Sequence, residues 1–322
     1  MAVTQASSLS SDQVAFNRLA YFALRSEMLF DQAADVQPTA QAMPGSGVTF
    51  TIFSELAQVT SAISETADIT PATMGDSQVT VTLAEYGNTV LTTAKLRGTA
   101  FLDIDSAAAN LIGYNAGDSL DAIVSAVLNA GTNVNYATGG ATDPTSRTTI
   151  NSDDAVTAND VRLTVAQLRK ANVPTFDGHY MGYIHPDVSY DFRTATDAAA
   201  WRTPANYVNP TGIYNGEIGM FEGVRFIETP RAPLTADASN NSGSTGTTDV
   251  YGTLIMGRQA LAKAFSVQDG NGAVPKIVRG NVTDILMRLQ PLGWYWLGGY
   301  GRFREASLRR IESSSSIGAN SV

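Results

Sequence analysis

Between Asp103 and Gly131 the apolar residues Ile112, Ala116, Leu120, Ile123 and Val127 recur every three to four positions. Ile104, Ala107, Ala108 and Leu111 extend that stripe backwards, and Val124 and Leu128 widen its far end. Such spacing places side chains on one face of an α-helix. Taken as one element, 104–130 makes a rod of ~40 Å at 1.5 Å per residue. Few globular folds accommodate a helix of that length. Gly113 and Gly117 each cost ~1 kcal/mol against alanine in a helix interior. Asp118 with Ser119 has the chemistry to cap a fresh helix. The stripe therefore predicts one long helix or two nearly collinear ones, closed by Gly131 in the left-handed position.

Two alternating segments stand upstream. Val48, Phe50 and Ile52 alternate with Thr49 and Thr51; Val79, Val81 and Leu83 alternate with Thr80 and Thr82. Period two with β-branched residues predicts strands. The polar connection Thr60–Gln78 makes them a long hairpin, which Thr89–Leu96 continues. A hairpin of that length has little core of its own and needs a surface to lie on. Ahead of it, Phe16, Leu19, Ala20, Ala23 and Leu24 form a short helical stripe, and Val36–Gly47 reads as an extended arm.

Downstream, a helix is expected over Asn159–Asn172, stopped by Pro174. His179–Ile184 reads as a buried strand, and His185-Pro186-Asp187 opens another helix. Phe221–Thr229, Val250–Met256 and Thr283–Leu289 have strand character, while Ala236–Asp249 reads as a loop. Gly298-Gly299-Tyr300-Gly301-Arg302-Phe303 has a faint RNA-stacking rhythm but reads better as a turn between strands. Separate strands and helices give an α+β class.

The formal charge of the 322-residue chain is −9, a poor balance for general nucleic-acid binding. Its distribution is uneven. From Val36 to Ala94 there is no lysine or arginine, yet Glu55, Glu65, Asp68, Asp76 and Glu85 fall there. Arg302, Arg304, Arg309 and Arg310, with Arg288, make the carboxyl-terminal region locally basic. An acidic hairpin and a basic region on different copies of the chain would complement each other across an interface.

No enzyme motif is present. There are two histidines, His179 and His185, without HExxH, GxSxG or a phosphate loop. Asp153-Asp154, and Asp191 with Asp197, are spaced as caps or solvated charges rather than metal ligands. No cysteine is available for a thiolate site. Neither a secretory signal nor an apolar run long enough to span a bilayer is evident. The expectation is a non-enzymatic chain without cofactor, metal or membrane.

Several stretches carry a resemblance. TLAEYGNTVLTTAKL (82–96), GDSLDAIVSAVLNAGTNVNYA (117–137), LRKANVPTFDGHYMGYIHPDVSYDFRT (168–194) and NGEIGMFEGVRFIETP (215–230) resemble the phage N4-type major capsid proteins. The order of arm, hairpin, long helix and compact remainder is similar to that of HK97-like capsid proteins of tailed phages. The resemblance implies an N-terminal arm with a short helix (1–47), an E-loop hairpin (48–98) and a peripheral domain (99–175) holding the spine helix, 104–130. It further implies a mainly axial domain (176–280), return strands (281–312) and a flexible tail (313–322).

The function implied is that of a major capsid protein. Such a subunit self-assembles as hexamers and pentamers into an icosahedral shell around double-stranded DNA, which it touches weakly and non-specifically. An encapsulin-like nanocompartment shell is the alternative. Implied partners are a scaffolding protein, a portal and a decoration protein. The implied location is the virion, after assembly in the host cytoplasm. Only about forty residues precede the hairpin, so a separate scaffolding protein is expected. With Lys95 at the base and no lysine within the hairpin, no lysine–asparagine crosslink is expected there.

Overall fold

The computed structural model describes residues 29–36, 47–53, 56–60, 62, 66, 68, 71–99, 104–194, 217–239, 248–266, 272–281, 284–286 and 288–317. The stripe forms one uninterrupted helix. In chain order the elements are β1 (Ala34–Val36), β2 (Gly47–Phe53), β3 (Asp76–Thr82), β4 (Ala84–Thr93), α1 (Ala94–Thr99) and the long α2 (Ile104–Asn129). Next come β5 (Val134–Tyr136), α3 (Ala158–Lys170), β6 (Tyr180–Ile184), α4 (Pro186–Thr194), β7 (Glu217–Phe221) and β8 (Val224–Glu228). The chain continues with β9 (Leu234–Ser239), β10 (Thr248–Met256), β11 (Leu261–Phe265), β12 (Lys276–Arg279), β13 (Leu289–Arg302) and β14 (Leu308–Ser313).

Helix α2 organises the interior. Its buried face runs through Ala108, Ala109, Ile112, Ala116, Leu120, Val124 and Leu128, with Gly113 and Gly117 on the same face. Those residues meet Leu292, Trp294, Trp296 and Tyr300 of β13, and Tyr183, Leu254 and Met256 of the second sheet. Burial of this quality, at about 1.5–3 kcal/mol per large side chain, outweighs the propensity cost of two glycines. Asn115 adds a polar tie: its Oδ1 accepts from Trp294 Nε1 at 2.9 Å and from Asn88 Nδ2 at 3.1 Å.

Two sheets flank the helix. The five-stranded sheet runs β1-β11-β13-β12, with β4 also on β13. The seven-stranded sheet runs β5-β14-β10-β6-β8-β7, with β9 on β10. A second core lies under α3 and α4, where Val161, Val165, Leu168, Val188 and Phe192 pack on Ile184, Phe226, Tyr251 and Ile255. Thr157 caps α3 in a reciprocal pairing with Asp160, as a capping box requires.

The structure departs from sequence expectation at five places. Thr89–Leu96 does not continue the hairpin: β4 pairs with β13 from Ala84↔Gly298 to Thr93↔Leu289. Tyr86 and Val90 pack against the core there, and Tyr86 stacks on Trp296 at 6.0 Å. Residues 298–302 are strand, not turn, because β11 and β3 press onto glycines that leave room for them. The described part of 283–289 is turn up to Arg288, with Ile285 and Leu286 exposed, and the strand begins at Leu289. Part of 236–249 is ordered as β9 and β10, since Asp237 N–H donates to Asp249 Oδ1 at 2.9 Å and Ser239 is buried against the Ile150 carbonyl. Gly131 is not left-handed; the glycines that are, among the described residues, are Gly178 and Gly223. Arginines close the end of α2 instead.

Candidate assembly surface

The hairpin is seated at its root and bare at its tip. β2 and β3 pair antiparallel from Gly47↔Thr82 to Phe53↔Asp76, which puts Val48, Phe50, Val79 and Val81 on one face. Phe50 and Val81 are buried against Ala262 and Ala264, and Phe303 meets the Phe50 ring edge-on at 5.7 Å. This small core lies on the outer side of β11 and β13. Outward along the hairpin and its connection the apolar side chains lose cover: Phe53 is 64%, Leu56 57%, Val59 84% and Met74 68% exposed. Apolar groups so exposed along one ribbon make it a candidate contact surface.

Of the five acids expected on this ribbon, Asp68 and Asp76 are exposed, Glu85 is exposed but lies on β4 of the five-stranded sheet, opposite Leu297, and Glu55 and Glu65 lie outside the described residues. A cleft of about 620 Å³ opens behind the root, between Val79 and Thr80 of β3, Ala126, Val127 and Ala130 near the end of α2, and Gly301–Phe303 with Glu305.

Three of the four carboxyl-terminal arginines hold the subunit's own helices. Arg302 donates to the Val127 carbonyl at 3.2 Å and to Glu305 Oε2 at 2.8 Å. Arg310 donates to the Asn129 carbonyl and pairs with Glu312 at 2.8 Å. Both therefore neutralise the negative end of α2, supplying donors that its last carbonyls lack. Arg304 does the same for the end of α3, donating to Ala171 O at 2.8 Å and Asn172 O at 3.3 Å. Arg309 is half-buried; its Nε is buried without a hydrogen-bond partner, and burial lowers its pKa.

This corrects the picture of a uniformly available basic patch. Arg310 is buried with Glu312, so it is not offered to a neighbour, while Arg302, Arg304 and Arg309 remain half-buried. Reading the arginines as a charge cluster missed this. Their spacing after α2 and α3 carries no local signal that they fold back onto those helix ends.

The remaining candidates have local structural partners. His185 Nδ1 accepts from Asp187 N–H at 3.3 Å at the start of α4. Its ring lies 4.9 Å from that of Tyr251, whose hydroxyl donates to Asp187 Oδ2 at 2.8 Å. Burial holds the His185 imidazole below its ordinary pKa, against the opposing pull of Asp187 and Glu228. His179 closes a turn by exchanging backbone hydrogen bonds with Phe176. Asp154 is buried, accepts from Asn151 N–H at 2.6 Å and has its pKa raised by that burial; Asp153 is exposed. Asp191 accepts from Ser316 N–H at 2.8 Å, and Asp197 lies outside the described residues. Among the described residues no three acidic or histidine side chains gather as a metal set, and no helix is long and apolar enough to cross a membrane.

A seated hairpin, a long interior helix and a two-sheet body can be set against known proteins. Residues 5–317 match the sequence profile of the family described as phage capsid protein. The chain belongs to the phage capsid protein family. Solved structures agree in fold. It is similar to the capsid of Ralstonia phage GP4, with a TM-score of 0.70 at 15% identity over 88% of this chain and 87% of that one. The cyanophage Pam1 capsid asymmetric unit gives 0.66 at 16% identity, over 88% of each chain. The holo-SrpI encapsulin complex from Synechococcus elongatus PCC 7942 gives 0.54 at 12%, over 76% of this chain and 78% of that one. No curated protein matches the sequence. The fold of this capsid protein is HK97-like.

Proposed function

We propose that this capsid protein is the major coat subunit of an N4-type tailed phage, assembling as hexamers and pentamers into an icosahedral shell around double-stranded DNA. The carrying observation is the ribbon, seated by Phe50 and Val81 at its root while Phe53, Leu56, Val59 and Met74 further out are exposed among the described residues. A neighbouring subunit is the cover this reading assigns. Scaffolding protein, portal and decoration protein remain part of it, with assembly in the host cytoplasm and the virion as final location. Expressed subunits examined by electron microscopy should form shells, and heads from infected cells should contain double-stranded DNA. Particles that hold protein cargo and no DNA would favour the nanocompartment reading, which the encapsulin likeness supports.

Charge on the ribbon sets register in this reading. Asp68 and Asp76 of the ribbon, with Glu85 on β4, meet basic groups of a neighbour, with Arg304 and Arg309 the reachable members of the expected set. Each exposed pair contributes only ~0.2–1 kcal/mol. Repetition at every interface makes the summed effect on a shell much larger. Replacing Glu65, Asp68 and Asp76 by lysine should therefore lower shell yield in sedimentation while circular dichroism stays unchanged. Normal yield from the triple variant would refute the charge pairing.

A further inference from the structure

The segment Leu29–Val36 is held as a peptide in a groove. Its docking hydrogen bonds run to residues 91 to 269 positions away in the chain. Asp121, buried on α2, accepts from the backbone N–H groups of Leu29 at 3.2 Å and Phe30 at 3.0 Å. Arg231 supports that carboxylate from the far side at 3.4 Å. Tyr183 hydroxyl donates to the Leu29 carbonyl at 3.1 Å. On the segment itself, Asp31 receives Lys263 Nζ on both carboxylate oxygens at 2.7 Å and the Tyr300 hydroxyl at 2.9 Å.

The apolar part of this docking is small. Phe30 and Ala33 are its buried hydrophobic anchors, Phe30 lying 4.6 Å from the Tyr183 ring, and Leu29 and Ala34 pack partly buried against the same core. Its ladder covers three residues, Ala34↔Leu261 to Val36↔Lys263, parallel and at the edge of the five-stranded sheet. Lys263 is almost wholly buried, between Trp296 at 5.8 Å and Tyr300 at 5.5 Å. Buried charges of this kind select one register strongly but add little net stability, because desolvation offsets their attraction. Burial accordingly lowers the pKa of Lys263 and raises that of Asp121.

We infer that the groove formed by Asp121, Tyr183, Lys263 and Tyr300 is a peptide-docking seat whose occupant is this chain's own Leu29–Val36, held as a polar latch that opens as a unit separate from the sheets. Register comes from Asp121 reading two adjacent amides and from Lys263 reading Asp31. Easy release comes from the short ladder and the few apolar anchors, the composition of a segment that unfolds locally before the body does. Opening leaves β10, β13 and α2 unbroken. The latch stands whether or not the shell encloses DNA.

Hydrogen exchange read by mass spectrometry on the full chain, as dissociated subunits and in shells, tests this. The amides of Leu29 and Phe30 should exchange at least ~10-fold faster than those of Leu254 and Ile255 in β10. Asp121→Asn should speed the first pair further and leave the second unchanged. The paired Asp31→Leu, Lys263→Met variant, made with Tyr300→Phe so that no buried hydroxyl loses its acceptor, should slow exchange in the segment, since an apolar set needs no desolvation of charge. Segment amides exchanging at the β10 rate in the native chain would overturn the inference, as would faster segment exchange in the paired variant. Should Asp121→Asn not fold, the native chain and the paired variant decide it.

Discussion

Replacing Gly299 with alanine should abolish shells while leaving the two-sheet body folded. Gly299 sits in β13 opposite Ala264, and an added Cβ would fall onto the Thr82 carbonyl oxygen. That oxygen is backbone at the end of β3, so a side-chain rotation gives no relief. Two residues on, a Cβ at Gly301 would stand 2.7 Å from Val81 Cγ2. The hairpin root thus rests on bare glycine backbone. Overpacking of this sort costs ~1–3 kcal/mol. Burying Phe50 or Val81 contributes ~1.5–3 kcal/mol each. The strain is therefore comparable with the contribution of one of the seat's two anchors, and the ribbon should loosen. β13 keeps its partners β4, β11 and β12, so the body persists. Electron microscopy should show no shells, proteolysis should reach the hairpin sooner, and the main unfolding transition should remain. Normal shells from Gly299→Ala would show that the seat does not position the ribbon.

Arg310→Met should destabilise the subunit by ~3–5 kcal/mol, the range for breaking a buried ion pair from one side. Arg310 and Glu312 are both buried, and the pair lies at the foot of α2. Without the guanidinium, Glu312 keeps only Arg147 as its cation, and the Asn129 carbonyl loses its charged donor. The chief influence on the Arg310 pKa is burial, which lowers it, with Glu312 pulling the other way. The pair is thus not a strong source of net stability, and the loss comes from stranding its partner. Removing both, as Arg310→Met with Glu312→Leu, should recover part of the deficit, because half-exposed Arg147 can turn to water. Urea unfolding of the three chains measures this. A double variant as unstable as the single one would contradict the stranded-charge account.

Local pattern carried much of the architecture. The α2 stripe, the β2 and β3 alternation, the α3 helix and the His-Pro-Asp entrance to α4 were all legible because each depends on neighbours within a turn or a pleat. The acidic ribbon was legible too, since the absence of lysine and arginine from Val36 to Ala94 is a property of composition. Less legible was everything decided by chain segments that meet late. The glycines of 298–301 read as a turn because nothing nearby says that β3 will cross them. The arginines read as a surface patch because helix ends 132 to 181 positions away do not appear in their local spacing.

The sequence by itself determined which elements exist, because periodicity, capping and turn chemistry act over a few residues. It also determined that a long helix must lie buried and that two alternating strands must pair. Only the tertiary structure decided where charge is stored. Asp121 and Lys263 fall on apolar-looking elements and become the seat of Leu29–Val36, while Arg302, Arg304 and Arg310 become caps for α2 and α3. The physical reason is that a buried charge is tolerated only where folding brings its partner, and that partner is specified by topology rather than by local pattern.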